Sequence, residues 1–155
     1  MTIETIHPKY TKLVENLKIA KSIYHQILAN DQIQDLEIYK RLYAKSDQAL
    51  EQVTSVVKVD RSEFELSVAQ NIKMELEKIA IAIESLFVQF HHKEILELCV
   101  DHEEKILLFF KEVAEGVPMN YEEKSIIANW LTRTAKTLED LVRTQKSYKE
   151  VLINS

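Results

Sequence analysis

The chain has 155 residues, with 20 basic and 25 acidic side chains and a formal net charge of −5. Both signs of charge are scattered along the chain, so there is no concentrated basic face, and this disfavours nucleic acid and a bilayer surface as partners. No stretch approaches the roughly eighteen uncharged apolar residues that membrane insertion needs. The single cysteine, Cys99, cannot form an internal disulfide, so we expect a cytoplasmic protein.

Glycine and proline are scarce, with one glycine and two prolines in the chain. Turns and β-bulges use these residues, so a chain that nearly lacks them is typical of an all-helical protein. The length fits one domain, and no linker or repeat divides the sequence. We therefore predict a single all-α domain over residues 1–155, built of about five helices as a helical bundle or a globin-like stack.

The first two helices follow from the spacing of apolar residues and from their end signals. Pro8 lies in the first turn of helix one, where proline is favoured, and Asn30 is a candidate left-handed cap. The second helix is predicted to begin near Asp31 and to end at the KVDRSE stretch. Its inner face carries several hydroxyl groups.

The remaining three helices follow from the same spacing. Ser62 and Glu65 form a candidate capping box for the third helix. The apolar stripes before and after residues 90–93 point in different directions, so we expect the third helix to end there and a fourth to begin. Gly116 closes the fourth helix, and Asn120 begins a long fifth one.

Polar side chains lie within the apolar faces of several predicted helices. His91 and His102 lie on the face of the fourth helix, and Thr134 and Gln145 on that of the fifth. Buried polar groups are costly unless paired, and a few of them among aromatic side chains are typical of a ligand pocket. We predict a core pocket for an amphipathic, fatty-acid-like ligand or lipid. Its residues are His91, His102, Tyr39, Tyr43, Thr134, Gln145, Phe87 and Phe109.

A packed core is the simpler interpretation of the same residues. Each histidine would then donate to a carbonyl, hydroxyl or amide on a neighbouring helix. Charged groups such as Glu103, Glu104 and Lys105 are predicted to form an ordinary solvated face.

A metal-binding bundle of the ferritin-like type, acting as an enzyme or carrier, is an alternative function. Its ligands would be His91, Glu94 and Glu75. His91 and His102 cannot share one ion on a continuous helix, since they would lie about 16 Å apart along its axis. Di-iron bundles place Glu-x-x-His on two helices, whereas the inner faces of the first, second and fifth helices here are nearly free of carboxylates.

Two further alternatives concern the histidines. His92 lies near the edge of the apolar face, where a histidine phosphotransfer protein carries its phosphorylated residue, but the glycine usual one turn beyond is absent. Haem would take His91 or His102 as its axial ligand, and a histidine on an apolar face is too common to indicate haem. The porphyrin contacts would be Phe87, Phe90 and Phe109.

No set of nucleophile, base and oxyanion donor can be assembled, and Cys99 lacks a setting that activates a thiol, so we expect binding rather than catalysis. The sequence predicts a non-enzymatic regulatory or sensor domain of a bacterial signalling pathway that contacts another protein, such as a kinase or regulator. By analogy, its composition is similar to that of stand-alone helical sensor domains, including haem-free globin-like ones that bind lipid. A homodimer is expected through the third or the fifth helix.

Overall fold

A computed structural model describes residues 6–33, 35–57, 61–89 and 91–154 of the chain, with side chains up to residue 147. Within these ranges the chain forms five α-helices and no strand. They are α1 (Pro8–Leu28), α2 (Leu36–Ser55), α3 (Arg61–Val88), α4 (His92–Gly116) and α5 (Tyr121–Asn154). The prediction of an all-α helical bundle is confirmed. So is the break between the third and fourth helices, because α3 ends at Val88 and α4 begins at His92.

Helix α1 is the centre of the bundle. It packs against α2, α3 and α4, while α5 packs mainly on α4 and meets α2 along a shorter stretch. A helix that is covered on most sides needs apolar residues around much of its circumference, and the apolar residues of α1 are indeed less one-sided than those of α2. Its buried residues are Tyr10, Leu13, Val14, Leu17, Ile19, Ala20, Ile23, Tyr24 and Ile27.

Two helix starts are held by side-chain caps. His7 Nδ1 accepts a hydrogen bond from the backbone N–H of Lys9 at 3.1 Å, and Pro8 follows as the first residue of α1. Asn120 Oδ1 accepts from the backbone N–H of Glu123 at 2.9 Å, which confirms the predicted start of α5. Each cap satisfies an N–H group that the helix itself leaves without an acceptor.

The turn between α1 and α2 differs from the prediction. Asn30 was expected to adopt a left-handed conformation, but Asp35 has the one positive φ among the described residues, at 56°. The Asn30 side chain instead accepts from the backbone N–H of Gln32 at 2.8 Å, an Asx-type contact that forms a turn without a left-handed residue. As a result α2 begins at Leu36, later than the predicted start near Asp31.

One side of helix α3 faces solvent along its length. Its inner face packs on α1 and α4 through Phe64, Val68, Ile72, Ile83 and Phe87. The outer face carries Leu66, Met74, Ile81 and Val88, which are all strongly exposed. The predicted capping box is wrong, because Ser62 lies inside the first turn and Glu65 accepts instead from Arg61 Nε at 3.3 Å. No helix in the described ranges has an apolar stretch that could cross a membrane.

Candidate functional site

A pair of opposite charges lies in the core between α2 and α4. The Lys45 ammonium contacts the Glu103 carboxylate, and the two side chains are 8% and 0% exposed. Tyr24 of α1 donates to Glu103 Oε2 at 2.9 Å, so three helices meet at this carboxylate. Moving an ion out of water costs several kcal/mol, and a buried charge that loses its partner is strongly destabilising. Neither Lys45 nor Glu103 can therefore be buried here without the other.

The surroundings of the pair affect the ionisation of its members. Burial lowers the pKa of Lys45, and the nearby Arg133 guanidinium lowers it further. Contact with the Glu103 carboxylate acts in the opposite direction and favours the charged amine. Burial also raises the pKa of Tyr24, and Cys99 and Tyr39 add to that effect. The core around Glu103 is thus a cluster of polar groups, and Arg133 lies close enough to Lys45 for its charge to act there.

Lys45 is also part of the wall of an open cavity between α2 and α5, here called the α2–α5 groove. Its cationic end has a volume of about 380 Å³ and is lined by Arg41, Ala44, Lys45, Gln48, Arg133, Lys136, Thr137 and Asp140. Four of these residues are cations and only Asp140 is an anion. In a chain of net charge −5, this is a local concentration of positive charge.

The groove also has an apolar end of about 130 Å³. The two ends share Arg41, Thr137 and Asp140, so they lie side by side along the α2–α5 interface. The apolar end is completed by Ile38, Leu42, Leu141 and Thr144. A cationic wall next to a small apolar wall is complementary to a molecule that has an anionic head and an apolar body.

Arg133 is positioned by its neighbours. Its guanidinium stacks on the ring of Trp130, 4.1 Å from the ring centroid. The indole is fully buried, and its Nε1 donates to Gln52 Oε1 at 2.8 Å, so the surface that supports Arg133 is fixed. A planar guanidinium held on an aromatic ring loses less conformational freedom when it binds an anion than a free side chain does.

The other two exposed cations of the groove are available to a ligand. In the described part of the chain, Arg41 and Lys136 have no ion-pair partner. Asp140 does have one, since its Oδ1 lies 3.7 Å from Arg143 Nη1. The groove therefore presents Arg41, Arg133 and Lys136 toward its open space, with the Lys45–Glu103 pair beneath them.

The predicted core pocket is not assembled as proposed. His91 was expected inside the bundle, and this is wrong: its side chain is 46% exposed, and its Nδ1 lies 3.7 Å from Glu94 Oε2. His91 precedes the first residue of α4 and has a non-helical backbone, so the helical angle that placed it in the core does not apply to it. His92 is half-buried, and its ring meets the edge of Phe87 at 5.8 Å between centroids.

His102 is buried as expected, but its Nδ1 has no hydrogen-bond partner. Thr134, Tyr39 and Phe87 are buried too, whereas Tyr43, Phe109 and Gln145 are only half-buried. The hydroxyl of Thr134 also lacks a partner, so the predicted hydrogen bonds between these polar groups are not found. Tyr39 lies near Tyr24 and Cys99.

The proposed metal ligands are separated as well. Glu75 on α3 acts electrostatically on His102 and Glu15, while Glu94 is the neighbour of His91. Among the described residues, no group of three or more His, Cys, Asp or Glu side chains is placed to hold a metal ion. Phe90, a predicted haem contact, lies outside the described residues.

Two residues that matter most here were not predicted as part of a site. Glu103 was expected on a solvated face and is instead fully buried. The spacing contains the signal, because Glu103 falls four residues after Cys99 and three before Ile106, both of which are buried. Lys45 falls likewise between the buried residues Leu42 and Ala49. Their spacing from these buried residues places both side chains on the buried faces of their helices, although their charge predicts exposure.

Comparison of the chain with protein families, with curated proteins and with solved structures gives no match.

The buried state of His102 predicts a loss of stability in acid. Burial lowers the pKa of His102, Lys105 lowers it further, and Glu75 and Asp101 act against this. Below the ordinary histidine pKa of about 6.5, the unfolded chain takes up a proton that the folded chain resists. We therefore expect the free energy of unfolding to fall as the pH drops through about 6.5 and below. Urea unfolding at several pH values measures it.

The matched variants are His102→Gln, which should lose this part of the pH dependence, and His25→Gln, which removes an exposed histidine and should keep it. An unchanged acid dependence in His102→Gln would show that His102 is not its source.

Proposed function

We propose that this chain is a non-enzymatic regulatory or sensor domain that binds a small amphipathic anion in the α2–α5 groove. The observation that supports it is that the cationic and apolar ends of that groove lie side by side. The anionic head would lie against Arg41, Arg133 and Lys136, and the apolar body among Ile38, Leu42 and Leu141. This keeps the amphipathic ligand expected from the sequence and moves it from the core to the α2–α5 interface.

The electrostatics of the groove favour an anion without requiring it to be fully desolvated. Arg41, Arg133 and Lys136 are exposed side chains, so their charges keep water on one side. Charge-assisted hydrogen bonds from guanidinium groups to a carboxylate or phosphate are about twice as strong as neutral ones. Because Arg133 is already held on Trp130, the head would meet at least one cation in a fixed position.

The regulatory part of the proposal rests on the contacts of Lys45. This residue lines the groove and also contacts Glu103 of α4, which in turn accepts from Tyr24 of α1. A ligand bound over Lys45 would change the balance of charge in that network and so alter how Lys45 and Glu103 hold α2 relative to α4. A partner protein, such as a signalling kinase or regulator, would respond to that change. As expected from the sequence, we place this activity in a bacterial signalling pathway of the cytoplasm, a compartment with which the buried free thiol of Cys99 is compatible.

Binding of small anions tests this proposal. Isothermal titration calorimetry with a panel of amphipathic carboxylates and phosphate monoesters should give binding of at least one member. Arg41→Gln and Lys136→Gln should each weaken it by about tenfold, the value of one charged hydrogen bond. Lys40→Gln and Lys124→Gln make similar charge changes on the same two helices, and Lys124 lies about 18 Å along α5 from Lys136.

These two controls should bind as the native chain does. No binding by any member of the panel, or binding that survives both groove substitutions, would contradict the proposal.

A second function, self-association through α3, is favoured by one observation. Met74, Ile81 and Val88 are about 70% exposed and recur every seven residues along one side of α3. No comparable exposed apolar residue lies on α5 between residues 122 and 147, so α3 is the better of the two predicted pairing helices. If two copies of α3 pair in parallel about a twofold axis, each of these residues meets its own copy, and Lys78 faces Glu77 of the other chain. This charge complementarity favours a second copy as the partner.

Ile81→Glu should therefore abolish the dimer, because it places two like charges at the centre of the pairing. The matched control is Leu108→Glu, which puts the same charge on an exposed leucine of α4. Size-exclusion chromatography with light scattering measures the mass of each. Two outcomes would contradict self-association. One is a native chain that stays monomeric at a protein concentration roughly 100 times a micromolar dissociation constant of the dimer. The other is a dimer that Ile81→Glu leaves intact.

A further inference from the structure

We infer that the α2–α5 groove selects a phosphate monoester with a small apolar substituent over a carboxylate of the same size. This inference rests on the proposed function and names the class of its ligand. Three features of the groove carry it: the balance of charge at the cationic end, the polar groups beside those charges, and the volume of the apolar end.

The charge at the cationic end matches a dianion. Lys45 is neutralised by its contact with Glu103, so it adds no net charge to the groove. Arg41, Arg133 and Lys136 bring three positive charges, and Asp140, whose carboxylate also pairs with Arg143, offsets at most one of them, which leaves a net of at least two. A phosphate monoester carries a charge of about −1.5 to −2 at neutral pH, whereas a carboxylate carries only one. A carboxylate would leave a positive charge in the groove unmatched.

The cationic end also offers more hydrogen-bond donors than a carboxylate head can accept from. Besides the paired Lys45, two guanidinium groups and the Lys136 ammonium line the cationic end, with the Gln48 amide beside them. A guanidinium presents several N–H donors in a planar fork, and a phosphate has three terminal oxygens to accept them, against two in a carboxylate. Thr137 is a weaker donor candidate, because its hydroxyl already donates to the backbone carbonyl of Arg133 at 2.9 Å.

The apolar end limits the size of the substituent. Its volume is about 130 Å³. A cavity of about 150 Å³ holds one benzene ring, so the space suits a single ring or a short alkyl chain and excludes most of a long fatty acid. Leu42 and Leu141, which line this end, are nearly fully buried in the bundle and leave little freedom to enlarge it.

Phenyl phosphate is the probe that combines both features, and benzoate and inorganic phosphate each lack one of them. Calorimetry at about pH 7.5 should show phenyl phosphate binding roughly tenfold more tightly than either of the other two. The affinity for phenyl phosphate should fall about fourfold at about pH 5.5, where a monoester with a second pKa near 6 has lost most of its second charge. Benzoate remains ionised over this range and should not lose affinity.

The protein groups that face the anionic head of the ligand do not cause this fall in affinity at lower pH. They are Arg41, Lys45, Arg133, Lys136 and Asp140, with Glu103 beneath Lys45, and no histidine lines either end of the groove within the described residues. Any further protonation of Lys45 in acid would strengthen the binding of an anion. A loss of affinity at lower pH therefore reports the charge of the ligand.

A variant at the apolar end separates the two requirements. Thr144→Phe fills that end from the surface of α5, so it should weaken phenyl phosphate about tenfold and leave inorganic phosphate unchanged. Benzoate binding as tightly as phenyl phosphate, with both sensitive to Arg41→Gln, would overturn the phosphate assignment and keep the groove as an anion site. Failure of all three probes to bind would remove the assignment, and failure of the wider panel would remove the proposed function with it.

Discussion

The contact between Lys45 and Glu103 is the interaction on which the arrangement of this bundle depends. It joins α2 to α4 through two side chains that are almost completely withdrawn from water, and Tyr24 connects the same carboxylate to α1. Replacing a buried ion pair by apolar residues of similar volume is often neutral or stabilising, so the pair is weak evidence for added stability. Its effect is on specificity, because any placement of α2 relative to α4 that separates the two side chains leaves a buried charge uncompensated.

The same contact explains why the groove lies where it does. With α2 packed on α1 and joined to α4 through Lys45 and Glu103, and α5 packed mainly on α4, helices α2 and α5 meet only along a short stretch. The space between them is lined by side chains that project from both, with Lys45 at its inner wall. Lys45 therefore belongs to the core and to the groove at once. A ligand bound in the groove would therefore act on the contacts of α4 through one residue, which is the physical basis of the proposed sensing role.

The helices, the cap at Asn120 and the burial of His102 and Thr134 could be predicted from the sequence, whereas the buried charges of Lys45 and Glu103 were missed. The break between α3 and α4 followed from the change in direction of two apolar stripes, and Asn120 identified the start of α5. His91 was misplaced because the residue before a helix does not follow helical angles. Glu103 was predicted to be exposed because it is charged, although its spacing from Cys99 and Ile106 places it on the buried face of α4. The groove depends on how far α2 and α5 stand apart, a distance set by packing on other helices and not by either sequence segment.

A double-mutant cycle on Lys45→Met and Glu103→Leu, followed by urea unfolding, tests the central role of the buried pair most directly. Each single substitution leaves one buried charge without its partner and should cost about 3 to 5 kcal/mol of unfolding free energy. The double variant should regain part of that loss, with a coupling energy of about 2 kcal/mol or more between the two positions, and the Tyr24 hydroxyl left without its Glu103 acceptor should keep it less stable than the native chain. Losses that simply add, or single variants as stable as the native chain, would contradict the account.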